Sequence, residues 1–250
     1  MKKNLVLMLS LVVSAASHAE IIKREYSAYS VWIDCDSRSP VMVSTSAGVD
    51  QGNIERRDAF DYDPALDSRC QQTSRKPYSG KFEGGSYHRG HLVNANLFDG
   101  SRQLMDETFY MTNIVPQNSV SNIGAWKQTE VIQECWRGDK DVGTPGTIMM
   151  FAGPLYSDPS NDYFLNSHGV RTPEYMWKLL ISNKRFAAWV IPNDRTATKN
   201  NLDTFLVSIN QLEQRIGFKL GLNEQMFDKN YKPKMAEVGV NSFCFKNLRD

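Results

Sequence analysis

Beyond its first nineteen residues the chain lacks any apolar stretch near the ~18 residues that a membrane-spanning helix needs, so no membrane partner is expected. It also lacks internal repeats, low-complexity tracts and linkers, which excludes solenoid arrays and points to one domain over residues 20–250. Excess charge is missing too. Lys and Arg number 29 against 28 Asp and Glu, a net of +1, and without Lys2 and Lys3 the same count gives −1. A globally basic surface is thereby excluded, and any anion-attracting field must be local. Arg56, Arg57, Arg75, Lys76, Lys81 and Arg89 could supply one, diluted by six acidic residues between Asn53 and Gly90.

Cysteine is scarce: Cys35, Cys70, Cys135 and Cys244, none spaced as CxxC. The first nineteen residues carry Lys2 and Lys3, an apolar run from Leu5 to Val13 and a small-x-small end at Ser17-His18-Ala19. That pattern reads as a removed secretory signal, and it predicts a periplasmic or secreted protein. In such a compartment an even cysteine count favours two disulfides over metal ligation. Of the three pairings, Cys35–Cys70 with Cys135–Cys244 is preferred, because the first closes a local loop and the second ties down the C-terminus.

Strands are expected at Ser27–Ile33, Phe109–Val115 and Thr147–Phe151, with a hairpin pairing Tyr175–Ile181 and Phe186–Ile191. Asp34–Pro40 reads as a turn, and residues 50–86 as long irregular connections. One helix is expected from about Asn122 to Arg137, stopped by Gly138. A second opens at the capping box Ser208-x-x-Gln211 and ends at Gly217. Strands outnumber helices without regular crossovers, so the fold class is α+β, with a mainly antiparallel sheet flanked by helices.

The chemistry gathers in Tyr87-His88-Arg89-Gly90-His91, with Asn113, Asn122 and Glu130 downstream. A histidine takes a proton from water at neutral pH. An arginine holds phosphate oxygens through its planar fork, and an asparagine oxygen is a hard, uncharged ligand that suits Mg²⁺. If residues 89–91 are extended, Arg89 and His91 share a face and His88 points the other way. A lone histidine is more often a core or surface residue; the adjoining arginine and glycine favour a general base at His91. On a regular helix Asn122 and Glu130 lie about 12 Å apart along the axis and roughly 80° apart around it, so both cannot ligate one ion directly. The expectation is Asn122 as direct ligand and Glu130 acting through water. On the same helix Lys127 and Trp126 read as surface and core residues.

These segments resemble the DNA/RNA non-specific endonucleases of the ββα-metal superfamily, the group of the Serratia-type nuclease and endonuclease G. The resemblance is carried by Tyr87-His88-Arg89-Gly90-His91-Leu92, by Thr108 to Gln117 (TFYMTNIVPQ), by Asn122-Ile123-Gly124-Ala125-Trp126 with Glu130, and upstream by Arg57-x-x-x-Phe60-x-x-Asp63-Pro64. It is strong over residues 54–137 and diffuse to about 220. It implies the ββα-metal nuclease fold and an Mg²⁺-dependent endonuclease acting on DNA and RNA with 5′-phosphate products, with Mn²⁺ as an alternative ion and a homodimer as an open alternative. Position by position it implies His91 as general base, Asn122 as the protein ligand of a hydrated metal, Glu130 as the carboxylate orienting its water, and Asn113 as a residue shaping the site. Arg89 supports site and phosphate. Arg57 is the preferred transition-state arginine, with Arg56 open because the alignment there is loose.

Two positions depart from the family pattern: His88 stands where Asp is usual, and Asn94 where Pro often follows. Asn94 and Asn96 are loop residues or extra substrate contacts. The His88 substitution motivates an alternative, a nucleic-acid-binding protein of the same fold with impaired catalysis. A structural zinc site at His88 and His91 is a further alternative, with no Cys pair nearby to complete it.

Overall fold

The computed structural model describes residues 20–50, 52–138, 147–182, 185–223 and 226–238. Nine strands are described: β1 Ile21–Glu25, β2 Ser30–Asp34, β3 Ser39–Ala47, β4 Tyr87–His91, β5 Ile114–Asn118, β6 Ile148–Leu155, β7 Tyr175–Ser182, β8 Arg185–Pro192 and β9 Leu206–Val207. The helices are α1 Arg102–Glu107, α2 Ser119–Ser121, α3 Lys127–Gly138, α4 Leu165–His168, α5 Ile209–Ile216 and α6 Met235–Val238. Seven strands form an antiparallel sheet in the order β1-β2-β3-β6-β7-β8-β9, while β4 and β5 pair as a separate ribbon. The architecture is α+β, as expected.

Both faces of the sheet are covered. On β7, Met176 and Leu180 join the cluster that holds Trp126, Ile132 and Trp136, whereas Trp177, Leu179 and Ile181 join Ile209 and Leu212 of α5. Strands buried on both faces lose the alternation of polar and apolar residues and read as continuous apolar runs. That is why the β7–β8 hairpin is legible in the sequence. The α5 capping box is also found: Gln211 N donates to Ser208 Oγ at 3.1 Å, Ser208 N donates to Gln211 Oε1 at 2.9 Å, and Gly217 ends the helix at φ 80°.

Three expectations need correction. The strand placed at Phe109–Val115 begins only at Ile114, because Met111–Asn113 is a 3₁₀ turn held by the Asn113 side chain; it then continues through Pro116, tolerated in a two-stranded ribbon. The turn placed at Asp34–Pro40 stops at Arg38, whose φ is 55°, and β3 starts at Ser39 with Pro40 beside a register shift in β2. The single regular helix from Asn122 is broken. It starts earlier, where Asn118 Oδ1 accepts from Val120 N at 3.0 Å, and passes through a π turn at Asn122–Trp126 before α3.

The π turn is pressed by a segment distant in sequence. Gly124 takes φ −97° and ψ −110°, and a Cβ there would lie 2.6 Å from the Ala197 carbonyl oxygen. The same carbonyl accepts from Ala125 N at 3.0 Å, so the 197–199 segment presses on this turn. Of the expected disulfides, Cys35–Cys70 is formed. Cys135 is disulfide-bonded as well, and its expected partner Cys244 lies outside the described residues. Gly124→Ala is expected to lower stability by about 1–3 kcal/mol, since a backbone oxygen must move; urea unfolding that matches the wild type would contradict the assignment.

Candidate active site

The ribbon and the helix that follows it carry the site. Antiparallel pairing sets His91 opposite Ile114 and Gly90 opposite Val115. Gly90 is required by packing: a Cβ there would sit 2.3 Å from Gln117 Oε1 and 2.4 Å from Gln117 Cβ. The ribbon is fastened to the helix because Trp126 Nε1 donates to the His91 carbonyl at 3.0 Å. Trp126 is fully buried and Lys127 exposed, as their residue types suggest.

Asn113 brackets the chain after His91. Its Nδ2 donates to Val93 O at 2.9 Å and to Thr108 O at 2.7 Å, and its Oδ1 accepts from Val93 N at 2.9 Å. Each polar atom of this buried carboxamide is thus engaged with backbone, so Asn113 braces the chain after His91 and presents nothing to a ligand. Asn94 is buried and precedes the 3₁₀ turn at Ala95–Phe98 without a side-chain capping bond, its Nδ2 lying 3.5 Å from Glu134 Oε1; Asn96 is exposed.

His91 is walled by aromatic rings, Phe60 at 5.4 Å and Phe109 at 4.8 Å between centroids. Burial first, then the positive charges of Arg56 and Arg89, push its pKa down to about 3, against a hydrogen bond to the Arg89 backbone. The imidazole is therefore neutral, and its Nε2 is buried without a hydrogen-bond partner. A neutral imidazole with one nitrogen anchored and the other free is a proton acceptor waiting for a donor.

Three arginines were candidates here. Arg89 stacks over Phe60 at 3.6 Å from the ring centroid and donates to Arg75 O at 3.0 Å. Arg56 lies 5.2 Å over Phe109, the ring that also walls His91. Arg57 is turned to Asp106, which it meets through both Nε and Nη2. The structure therefore brings Arg56, and not Arg57, toward the imidazole.

The exposed His88 side chain meets Asn122. Asn122 Nδ2 donates to His88 Nδ1 at 3.0 Å, which commits the amide nitrogen and leaves Oδ1 free as a hard oxygen donor. The departure at His88 thus keeps a hydrogen-bond acceptor where a carboxylate is usual. Glu130, one turn beyond Trp126, is mostly shielded and pairs with Lys127 Nζ at 3.4 Å. Among the described residues, no three His, Cys, Asp or Glu side chains gather as metal ligands, so the zinc alternative has no ligand set there.

A family model described as DNA/RNA non-specific endonuclease matches residues 13–225. The chain is 26% identical over 214 residues to mitochondrial nuclease EXOG of Mus musculus, covering 78% of this chain and 55% of that protein. It is 28% identical over 159 residues to mitochondrial nuclease 1 of Schizosaccharomyces pombe, covering 56% of this chain and 48% of that protein. The chain therefore spans about half the length of these relatives. A crystal structure of an EndoG/EndoGI complex superposes with a TM-score of 0.66 at 21% identity, over 84% of this chain and 91% of that one, a likeness of fold. These relatives overturn the expectation of a periplasmic or secreted protein, because they are mitochondrial nucleases. Residues 1–19, outside the described residues, record charge and apolarity, and those two properties do not by themselves specify a compartment.

The depressed His91 pKa has a consequence for stability. In the unfolded chain the imidazole binds its proton near pH 6.5, while in the folded chain it does so only near 3. Its neutral burial is therefore without penalty above about 6.5, and stability is lost as the pH falls from there toward 3. Between pH 7 and 4.5 the wild type is expected to lose about 2–3 kcal/mol more than His91→Asn in urea unfolding; parallel pH profiles would contradict this.

Proposed function

The chain belongs to the DNA/RNA non-specific endonuclease family, and on that premise we propose that it hydrolyses phosphodiester bonds of DNA and RNA as an Mg²⁺-dependent endonuclease. The observation that carries this reading is the unpartnered Nε2 of a neutral, buried His91 beside two guanidinium groups. The residues also fit a hard divalent cation, Mg²⁺ or Mn²⁺. Asn122 would hold it through the oxygen that its bond to His88 leaves free, and Glu130 would orient water beside it. When bound, the ion supplies positive charge against the charge that develops on the phosphate and leaving oxygens.

His91 Nε2 takes the proton of the attacking water, and its anchored nitrogen fixes the ring's direction. Arg56 and Arg89 hold the phosphate oxygens and stabilise the charge on the pentavalent phosphorus. A phosphate arriving between them offsets the two positive charges that weaken the imidazole as a base, so His91 gains basicity when substrate is present. A solvent water gives its proton to the departing 3′-oxygen, so the products carry 5′-phosphates and 3′-hydroxyls, as the family implies. All of these groups address the sugar–phosphate backbone, so sequence preference is weak.

Purified protein is to be assayed on supercoiled plasmid and on RNA, with Mg²⁺ or with chelator. His91→Ala is expected to slow nicking by about 10²–10⁴-fold with an unchanged circular dichroism spectrum; an undiminished rate overturns the proposal. Arg56→Ala should lower kcat by about 10²-fold or more, and Arg57→Ala by only a few-fold. The reverse order would return the role to Arg57. His88→Ala should raise the Mg²⁺ concentration needed for half-maximal rate, and His88→Asp should restore it; equal Mg²⁺ curves for all three proteins would show that His88 does not orient Asn122.

A further inference from the structure

Strand β7 reads Tyr-Met-Trp-Lys-Leu-Leu-Ile-Ser, and the one charged residue in it is fully buried. Lys178 shares its face of the sheet with Met176 and Leu180, the face that packs against Trp126 and α3. Its Nζ stands 4.0 Å from the Trp126 ring centroid and has no hydrogen-bond partner. Burying an ammonium without hydrogen bonds is strongly unfavourable, and an apolar side chain of the same length would fill the space without that penalty. The charges acting on Lys178 are Glu130, which favours the ammonium, and Lys127, which opposes it; burial, the largest effect, pushes the pKa down to about 8.

Trp126 faces two ways. Its indole nitrogen holds the His91 carbonyl, and its ring lies against the Lys178 ammonium. Glu130, one turn further along, is mostly shielded from solvent, where an electrostatic partner counts for more than at the surface. We infer that Lys178 is a positioning residue of the site: its buried ammonium, stacked on Trp126, is the internal counter-charge that holds the Glu130 carboxylate and the His91 strand in their working arrangement. The inference rests on the proposed role of Glu130. It concerns a residue on the central sheet, outside the ββα segment that carries the signature residues.

Two measurements test it. The first is a double-mutant cycle on metal-free protein in chelator, with Lys178→Met, Glu130→Gln and the pair compared by urea unfolding. Coupling predicts non-additive stabilities, because removing the carboxylate strands the ammonium only while Lys178 is present. The second is catalysis with Mg²⁺. Lys178→Met is expected to lower kcat tenfold or more with the KM for DNA within twofold, and Lys178→Arg to restore part of the rate. Additive stabilities, or a Lys178→Met kcat within twofold of wild type while Glu130→Gln is impaired, would overturn the inference. An unimpaired Glu130→Gln brings down the role of Glu130 itself, and this inference with it. Should Lys178→Met not fold, the intact protein carries the test: its rate should fall as the pH rises through about 8 with the circular dichroism spectrum unchanged, and a rate flat to about pH 9.5 overturns it.

Discussion

One hydrogen bond joins the two halves of the site: the Trp126 indole nitrogen to the His91 carbonyl at 3.0 Å. The strand that ends in His91 and the helical segment that carries Asn122 are separate elements, and their relative placement has to be fixed by contacts between them. Trp126 does so from a fully buried position in the main core, so the ribbon inherits the rigidity of the sheet beneath. The His88–Asn122 bond and the Asn113 bracket complete the frame on either side. Preorganisation of this kind matters because groups held loosely by even 1 Å lose most of their catalytic effect.

The candidate site gathers ionisable groups in a region shielded from water. Arg56 and Arg89 flank a neutral imidazole, and Arg137, Lys178 and Glu130 are likewise buried or mostly shielded ionisable groups on or against the same helix. Burial, and then the positive charge nearby, weakens His91 as a base in the free protein, and the two guanidinium groups are proposed to receive a phosphate. The replacement of the usual carboxylate by His88 removes one negative charge from this region while keeping an acceptor for Asn122. The near-zero net charge of the whole chain is consistent with a field built locally and not over the surface.

Much of this was legible from residue order. The β7–β8 hairpin announced itself through apolar runs, α5 through its capping box, and the candidate site through a glycine between arginine and histidine. What escaped has identifiable causes. β1 (Ile-Ile-Lys-Arg-Glu) is a short edge strand with one exposed face, and charged edges read as non-strand. The aromatic run at Phe109–Ile114 has strand propensity, but Asn113 bonds to backbone on both sides and turns it. The π turn at Gly124 is imposed by the distant Ala197 carbonyl, which no local window contains. Arg56 and Arg57 are adjacent, and only the position of Asp106 decides which one is held away. Lys178 is invisible for the same reason, since a lysine in an apolar strand says nothing about the tryptophan it will meet.

The proposed mechanism requires His91 and Asn122 to address a single cation and a single phosphate. The most direct test is a crystal structure of His91→Ala with a short oligonucleotide and Mn²⁺, located by its anomalous signal. The account predicts Mn²⁺ on Asn122 Oδ1 and a phosphate bridging that ion and the space vacated by the imidazole, within reach of Arg56 and Arg89. An ion or a phosphate bound elsewhere, with Asn122 still turned only to His88, would contradict it.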